Sequence, residues 1–250
     1  MTKEEIKHHI NLMDYAYKDS VDFKQIGLKK ISWISNKETD TQGYVAINTD
    51  TIYIVWRGSS SINDFLRDAN VRRVSFLKKD ELVHVGFLNA FNSIKDYLDK
   101  VIENSFRKIG GIDKIKRVVI CGHSLGGALA TLTAYHFCEK YPDLKDMVQK
   151  ISIGSPRVGN KKFSENYNKL VKNSLRVVND GDLIARIPKI GYKHVDNVLS
   201  LDGEGILIKR RFKLFRHIYE CFISDITGQA VKDHFCDSYI DIVNKWNGNF

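Results

Sequence analysis

The sequence predicts an α/β fold in which helices cover both faces of a mostly parallel central sheet. Between residues 118 and 179, short apolar segments alternate with longer segments that have helical periodicity. This alternation is typical of parallel sheets, because the connection between two parallel strands usually carries a helix. The chain of 250 residues is 43% hydrophobic and 28% charged, which is typical of a globular protein with a sizeable core. We therefore interpret residues 1–250 as a single domain.

The first half of the chain predicts two helices and a β-hairpin. Apolar residues recur at helical spacing within residues 3–17, which predicts an amphipathic helix that covers the sheet. Two β-rich segments, residues 43–47 and 51–56, flank a short polar turn and predict the hairpin. The second helix is predicted from Phe87 to about Lys108, before a Gly-Gly pair that ends it.

The second half of the chain predicts three strands, with a helix after each of the first two. These elements are expected, in chain order, at residues 118–122, 125–135, 150–154, 163–171 and 175–179. Two later β-rich segments, residues 197–201 and 206–209, flank a Gly-containing turn. They predict a second hairpin that closes one edge of the sheet.

The segment from Gly122 to Gly126 predicts the end of a strand, a sharp turn and the start of a helix. A serine at such a turn stands above the sheet with its hydroxyl presented to a substrate. Gly122 and Gly126 leave room where a side chain would collide with the turn. The five-residue pattern also arises by chance, so its meaning depends on the residues that follow it. We interpret Ser124 as a candidate nucleophile.

Two aspartates are candidates for the carboxylate that such a serine requires. A serine hydroxyl needs a base within hydrogen-bond reach and an acid that orients the base, in the chain order serine, acid, histidine. Asp180 and Asp182 both follow the strand predicted at residues 175–179, and either could simply cap a turn. Asp182 is favoured because Asp180-Gly181 resembles the turn itself.

Three later histidines are candidates for the base. His217 lies in a cationic segment, where neighbouring charges would oppose the imidazolium that a general base must become. His194 precedes a predicted strand, and His234 opens a last amphipathic segment. The residues themselves favour His234 only slightly over His194. His84 and His123 are interpreted as packing or surface residues.

Backbone N–H groups are candidates for an oxyanion hole, which stabilises the negative charge of a tetrahedral intermediate. Leu125 follows the nucleophile at the start of a helix, so its N–H and the helix dipole both favour a negative charge there. Ser59 follows an earlier predicted strand, and the preceding Gly58 lets the backbone approach closely.

A short apolar stripe follows Ser59. Ile62, Phe65 and Leu66 recur at helical spacing, after a residue pattern that resembles a capping box. Beside a nucleophile such a helix could form a lid. Composition alone favours packing of the stripe on the core.

Charge, hydropathy and cysteine usage exclude several function classes. The net charge is +9, but the lysines are scattered over the chain, which favours a solvated surface over a nucleic-acid site. The N-terminus lacks a secretory signal, and no apolar run approaches the roughly 20 residues of a bilayer-spanning helix. The four cysteines lack metal-site spacing and are expected to be buried free thiols. We expect an intracellular protein without a metal or cofactor.

Six separated motifs resemble the class 3 lipase family of α/β-hydrolases, which is related to fungal triacylglycerol lipases. They occur in the family's order at residues 56–61, 83–87, 122–128, 154–160, 178–188 and 233–235. The resemblance implies an α/β-hydrolase fold, with Ser124 as nucleophile, Asp182 as triad acid and His234 as triad base. It also implies an oxyanion hole at Ser59 and Leu125.

The resemblance further implies a lid at about residues 60–69, formed by the stripe that composition alone assigns to the core. It implies a serine ester hydrolase whose substrate is a lipid ester, either an acylglycerol or a phospholipid. The alternatives are a catalytically silent lipid-binding or interaction module, and a thioesterase or peptidase that uses the same machinery. The basic, aromatic residues 203–220 indicate either a peripheral contact with a membrane or lipid-droplet surface, or a solvated loop.

Overall fold

A seven-stranded mixed sheet forms the centre of the molecule in the computed structural model, which describes residues 1–18, 20–58, 72–208 and 232–249. The strands in chain order are β1 (Lys29–Asn36), β2 (Thr41–Ile47), β3 (Thr51–Trp56), β4 (Arg73–Ser75), β5 (Leu82–His84), β6 (Arg117–His123), β7 (Val148–Ile153), β8 (Ser174–Asn179) and β9 (Asn197–Leu201). Their order across the sheet is β1-β2-β3-β6-β7-β8-β9, and β4 and β5 form a separate antiparallel pair.

Strands β3, β6, β7, β8 and β9 run parallel to one another, as the sequence predicts. Every residue of β3, β7 and β8 is buried, which is typical of parallel strands covered on both faces. The predicted hairpin of β2 and β3 is also present, and β1, which was not predicted, pairs antiparallel with β2 at the sheet edge. The carboxyl ends of the parallel strands therefore meet at one edge of the sheet.

Six α-helices of the described residues pack on the two faces of the sheet. They are α1 (Lys3–Tyr15), α2 (Val85–Asn92), α3 (Lys95–Ile109), α4 (Leu125–Lys140), α5 (Lys161–Leu170) and α6 (Cys236–Lys245). Helices α1 and α6 contribute to the apolar core on one face, and α2 to α5 contribute to the core on the other. Within the described residues, none of the helices is long and apolar enough to cross a membrane.

The elements differ from the prediction in two places. The helix predicted from Phe87 to about Lys108 is two helices, because Ile94 leaves the helical backbone at φ −123° and the Ser93 hydroxyl donates to the Ala90 carbonyl at 2.8 Å. The second predicted hairpin is present only as a single antiparallel bridge within the described residues, between Leu201 of β9 and Leu207, and Lys209 at the end of its predicted second strand lies outside them. The described cysteines are buried free thiols, and the fourth, Cys221, lies outside the described residues.

The buried histidine of α1 predicts a pH dependence of stability. His9 is 2% exposed, and burial, followed by the charges of His8 and Arg117, lowers its pKa from 6.5 to about 3. The folded protein therefore keeps His9 neutral where the unfolded chain protonates it, so stability is lost as the pH falls from about 6.5 towards 3. We expect His9→Leu to reduce the slope of unfolding free energy against pH by about 1.4 kcal/mol per pH unit in this window. Denaturant unfolding at pH 7, 5.5 and 4.5 measures it, and an unchanged slope would contradict the assignment.

Candidate active site

Ser124 occupies the sharp turn between β6 and α4. Its backbone angles, φ 58° and ψ −126°, are strained for a residue with a side chain. A Cβ atom at Gly122 would overlap the carbonyl of Gly126, and one at Gly126 would overlap the backbone of Trp56 at the end of β3. The Ser124 N–H donates to the Ile153 carbonyl of β7 at 3.0 Å. The close return of the turn onto β6 thus explains Gly122, packing against the end of β3 explains Gly126, and the hydrogen bond to β7 helps to hold the serine in its strained conformation.

Asp182 and His234 are joined by a hydrogen bond of 2.8 Å between Asp182 Oδ2 and His234 Nδ1. Both residues are buried: Asp182 is completely buried, and only 3% of His234 is exposed. Asp182 Oδ2 also accepts from the Tyr239 hydroxyl at 2.6 Å, and Oδ1 accepts from the Ile184 N–H at 2.8 Å. Burial, followed by the charge of Asp182, raises the pKa of Tyr239 well above its ordinary value, so this hydroxyl stays protonated and donates. These donors stabilise a buried carboxylate that can orient His234.

The close approach of these side chains depends on Gly154, which follows β7. Its φ of 58° lies in the left-handed region. A Cβ atom there would lie 2.8 Å from His234 Cε1 and 2.9 Å from Asp182 Oδ2. Any other residue would therefore push the pair apart.

Ser124 and His234 line the same cavity, which has a volume of about 220 Å³. His234 Nε2 is buried and has no hydrogen-bond partner within the described part of the chain. Because Asp182 binds the opposite ring nitrogen, Nε2 is the nitrogen left to exchange a proton with a nucleophile or a substrate. The arrangement has the components of an acyl-transfer site: a serine in a nucleophile turn, a histidine beside it, and a carboxylate behind the histidine.

Comparison with known proteins decides the family. Residues 53–192, more than half of the chain, match the family described as Lipase (class 3). The chain belongs to the class 3 lipase family. Phospholipase A1-II 1 of Oryza sativa subsp. indica is 27% identical over 254 residues, which cover 86% of this chain and 63% of the rice protein. The lipase of Rhizomucor miehei is 31% identical over 172 residues, which cover 66% of this chain and 46% of the fungal protein.

A solved structure places this class 3 lipase in the predicted fold. A triacylglycerol lipase whose catalytic centre is described as a serine protease triad matches with a TM-score of 0.72 at 28% identity, covering 79% of each chain. The α/β-hydrolase fold is therefore confirmed. The chain spans less than two thirds of the length of the two curated relatives above.

The structure also separates the alternatives that the sequence leaves open. Asp180 bonds to Arg186, with 3.1 Å between its Oδ1 and the guanidinium, whereas Asp182 bonds to His234. His194 is not among the described residues that line the cavity of Ser124 and His234. Its carbonyl accepts from the Ser164 hydroxyl at 2.6 Å, which ties the loop before β9 to α5.

The remaining predicted site residues are only partly covered by the structure. Leu125 is the first residue of α4 and directly follows Ser124, so its N–H belongs to the helix turn whose amides lack intrahelical partners. The other oxyanion candidate, Ser59, lies outside the described residues. So do the base candidate His217 and the three lid residues, namely Ile62, Phe65 and Leu66.

Sequence reasoning missed three residues of the site. Tyr239 falls in the last amphipathic segment and Tyr17 in the predicted first helix, and the sequence assigns neither of them to the site. Helix α1 in fact ends at Tyr15, and Tyr17 lines the cavity beside Ser124. His123, interpreted as a packing or surface residue, is 4% exposed and is hydrogen-bonded on both ring nitrogens. The only signal in the sequence was the position of His123 next to the nucleophile, because the tyrosines reach the site from distant segments.

Proposed function

We propose that this class 3 lipase hydrolyses acyl esters of lipids through an acyl-enzyme on Ser124. The observation that carries the proposal is the bond between Asp182 and His234, on a histidine that shares its cavity with Ser124. In the first half-reaction Ser124 Oγ attacks the ester carbonyl carbon while His234 Nε2 takes the hydroxyl proton. His234 then gives that proton to the alcohol oxygen as the ester C–O bond breaks. In the second half-reaction His234 takes a proton from the water that attacks the acyl carbon, and it returns this proton to Ser124 Oγ as the acyl–serine bond breaks and the fatty acid leaves.

The negative charge of each tetrahedral intermediate would be stabilised by N–H groups. Leu125 would supply one, at the positive end of the α4 dipole, and Ser59 would supply the second. The position of Leu125 directly after Ser124 supports the first assignment. The second rests on the position of Ser59 one residue after Gly58, whose backbone packs beside Ser124.

The substrate class rests on the relatives. The rice relative is named a phospholipase A1 and the fungal relative a lipase, which supports acylglycerols and phospholipids as the compounds to test. We also propose peripheral contact with a membrane or lipid-droplet surface inside the cell, for which the basic and aromatic residues within 203–220 are the supporting sequence feature. We propose that residues 1–250 perform this activity as one domain.

A fluorophosphonate probe tests the activity, because it reacts with an activated serine and not with an inert one. We expect stoichiometric labelling of the wild type at Ser124, and release of fatty acid from dispersed phosphatidylcholine or triolein. Absence of labelling would identify a silent module instead. Labelling without hydrolysis of either lipid, but with cleavage of acyl-CoA or a peptide, would identify a thioesterase or peptidase.

The proposed lid predicts a rate increase at a lipid surface. We expect activity on an ester to rise about 10-fold or more where the substrate begins to aggregate, and Phe65→Asp to remove most of this increase, because a charge on the apolar stripe opposes its insertion into lipid. Ile112→Asp is the matched control: Ile112 is 46% exposed and precedes the amino end of β6, whereas Ser124 follows its carboxyl end. Equal effects of both variants, or a rate that is flat across aggregation, would contradict the lid.

A further inference from the structure

A chain of three hydrogen bonds runs beside Ser124. The Gly58 N–H donates to the Tyr17 hydroxyl at 2.6 Å, the Tyr17 hydroxyl lies 2.5 Å from His123 Nδ1, and His123 Nε2 lies 2.7 Å from the carbonyl oxygen of His234. A carbonyl only accepts, so His123 Nε2 carries the hydrogen. In the neutral ring Nδ1 must then accept, so the Tyr17 hydroxyl donates to His123 and accepts from Gly58. Each of the three hydrogen bonds therefore has a defined donor and a defined acceptor.

The neutral state of His123 follows from its surroundings. Burial, followed by the charge of His234, lowers the pKa of His123 from 6.5 to about 3, although the bond to the His234 carbonyl opposes this shift. The rings of His123 and His234 pack at a centroid distance of 4.7 Å and an angle of 36°. A protonated His123 at this distance would repel the imidazolium that His234 forms during catalysis. The hydrogen bond from Tyr17 to Nδ1 is possible only while His123 is neutral.

These three hydrogen bonds connect three segments of the polypeptide that carry the reaction in the proposed function. Gly58 follows β3 and precedes Ser59, the second proposed oxyanion donor. A Cβ atom at Gly58 would lie 2.6 Å from the Tyr17 hydroxyl and 2.8 Å from Ser124 Cβ, so only glycine permits this approach. His123 precedes Ser124, and the carbonyl that His123 holds belongs to His234 itself. Tyr17, near the N-terminus, therefore connects the backbone of Gly58 to the nucleophile turn through His123, and His123 connects both to the backbone of the base.

We propose that Tyr17 and His123 are positioning residues that set the backbone of Gly58, which precedes the proposed oxyanion donor Ser59, and the backbone of His234 relative to Ser124. The inference rests on the proposed function, since it concerns the same site. Tyr17 lines the cavity, and its ring lies 5.3 Å from the Arg57 guanidinium and 5.7 Å from the His123 ring, whereas its hydroxyl makes both of its hydrogen bonds in the chain to Gly58 and His123. Neither side chain exchanges a proton with the substrate. Their effect is geometric, and it should appear in the transition state more than in substrate binding.

Tyr17→Phe tests the proposal because it removes one oxygen and keeps the ring. We expect kcat for a short p-nitrophenyl ester to fall about 10- to 100-fold with KM within about 2-fold, since small displacements of reacting groups cost rates of this size. The rate of fluorophosphonate labelling should fall by a similar factor, because phosphonylation also places negative charge in the oxyanion hole. Tyr15→Phe is the matched control, as the Tyr15 hydroxyl makes no hydrogen bond within the described residues and lies two positions away.

A second pair of variants separates positioning from folding. His123→Gln can keep one donor and one acceptor, whereas His123→Leu keeps neither, so we expect the glutamine variant to retain more kcat than the leucine variant at equal folded fraction. The proposal is overturned if Tyr17→Phe keeps full kcat, if it changes KM alone, or if the losses only follow the loss of folded protein. Failure of the proposed function is a different result, in which the wild type itself is neither labelled nor active.

Discussion

Replacing Ser124 with alanine is expected to lower kcat for ester hydrolysis by about 10⁶-fold, because no acyl-enzyme can form without the hydroxyl. The measurement is hydrolysis of a short p-nitrophenyl ester, which requires no lipid surface, so the result does not depend on a lid. Fluorophosphonate labelling should disappear in the same variant. Full activity in the alanine variant would remove Ser124 from the reaction.

The same substitution should leave the fold intact. Alanine keeps the Cβ atom that packs beside Gly58, and Ser124 Oγ makes no hydrogen bond within the described residues. We therefore expect the thermal midpoint to change by only about 2 °C or less. A large fall in the midpoint would mean that the loss of activity reports unfolding, and the kinetic test would then have to be corrected for the folded fraction.

Asp182→Asn is expected to lower kcat by about 10⁴-fold, the size of loss seen when an asparagine replaces a triad acid and favours the wrong histidine tautomer. The amide has the shape of the carboxylate and keeps one oxygen, which can still accept from the Ile184 N–H, while its NH₂ group takes the place of Oδ2 beside His234 and Tyr239, so the pocket should remain packed. The effect should appear in kcat more than in KM, because the carboxylate acts on His234 and not on the bound substrate.

Asp180→Asn is the matched control for this prediction. Asp180 lies two residues from Asp182 and bonds to Arg186, so its neutralisation should change kcat by less than about 3-fold, as expected for a charge pair outside the site. Equal losses in the two variants would contradict the assignment of the acid. A larger loss for Asp180→Asn would exchange the two roles.

Much of the architecture could be predicted because it depends on local patterns. The alternation of apolar strands with helices gave the parallel sheet, and the glycines on either side of Ser124 predicted the turn that β6 and α4 make. The split between α2 and α3 was missed because the apolar periodicity continues through Ser93 and Ile94, although the backbone does not. Strand β1 was missed because as an edge strand it buries few of its residues and shows a weak pattern.

The residues of the candidate site also fall into two groups, those that local sequence patterns predicted and those that only the tertiary structure placed there. The sequence by itself determined the nucleophile turn, the chain order of serine, acid and histidine, and, through its motifs, the family. The sequence favoured Asp182 as the acid without geometry, and the tertiary structure shows Asp182 against His234 while Asp180, two residues away, turns to Arg186. The tertiary structure alone brought Tyr17 and Tyr239 to the site, from positions 107 residues before and 115 residues after Ser124. Hydrogen bonds between such distant segments leave no periodicity in the chain, because they depend on where the packed sheet and helices place each backbone.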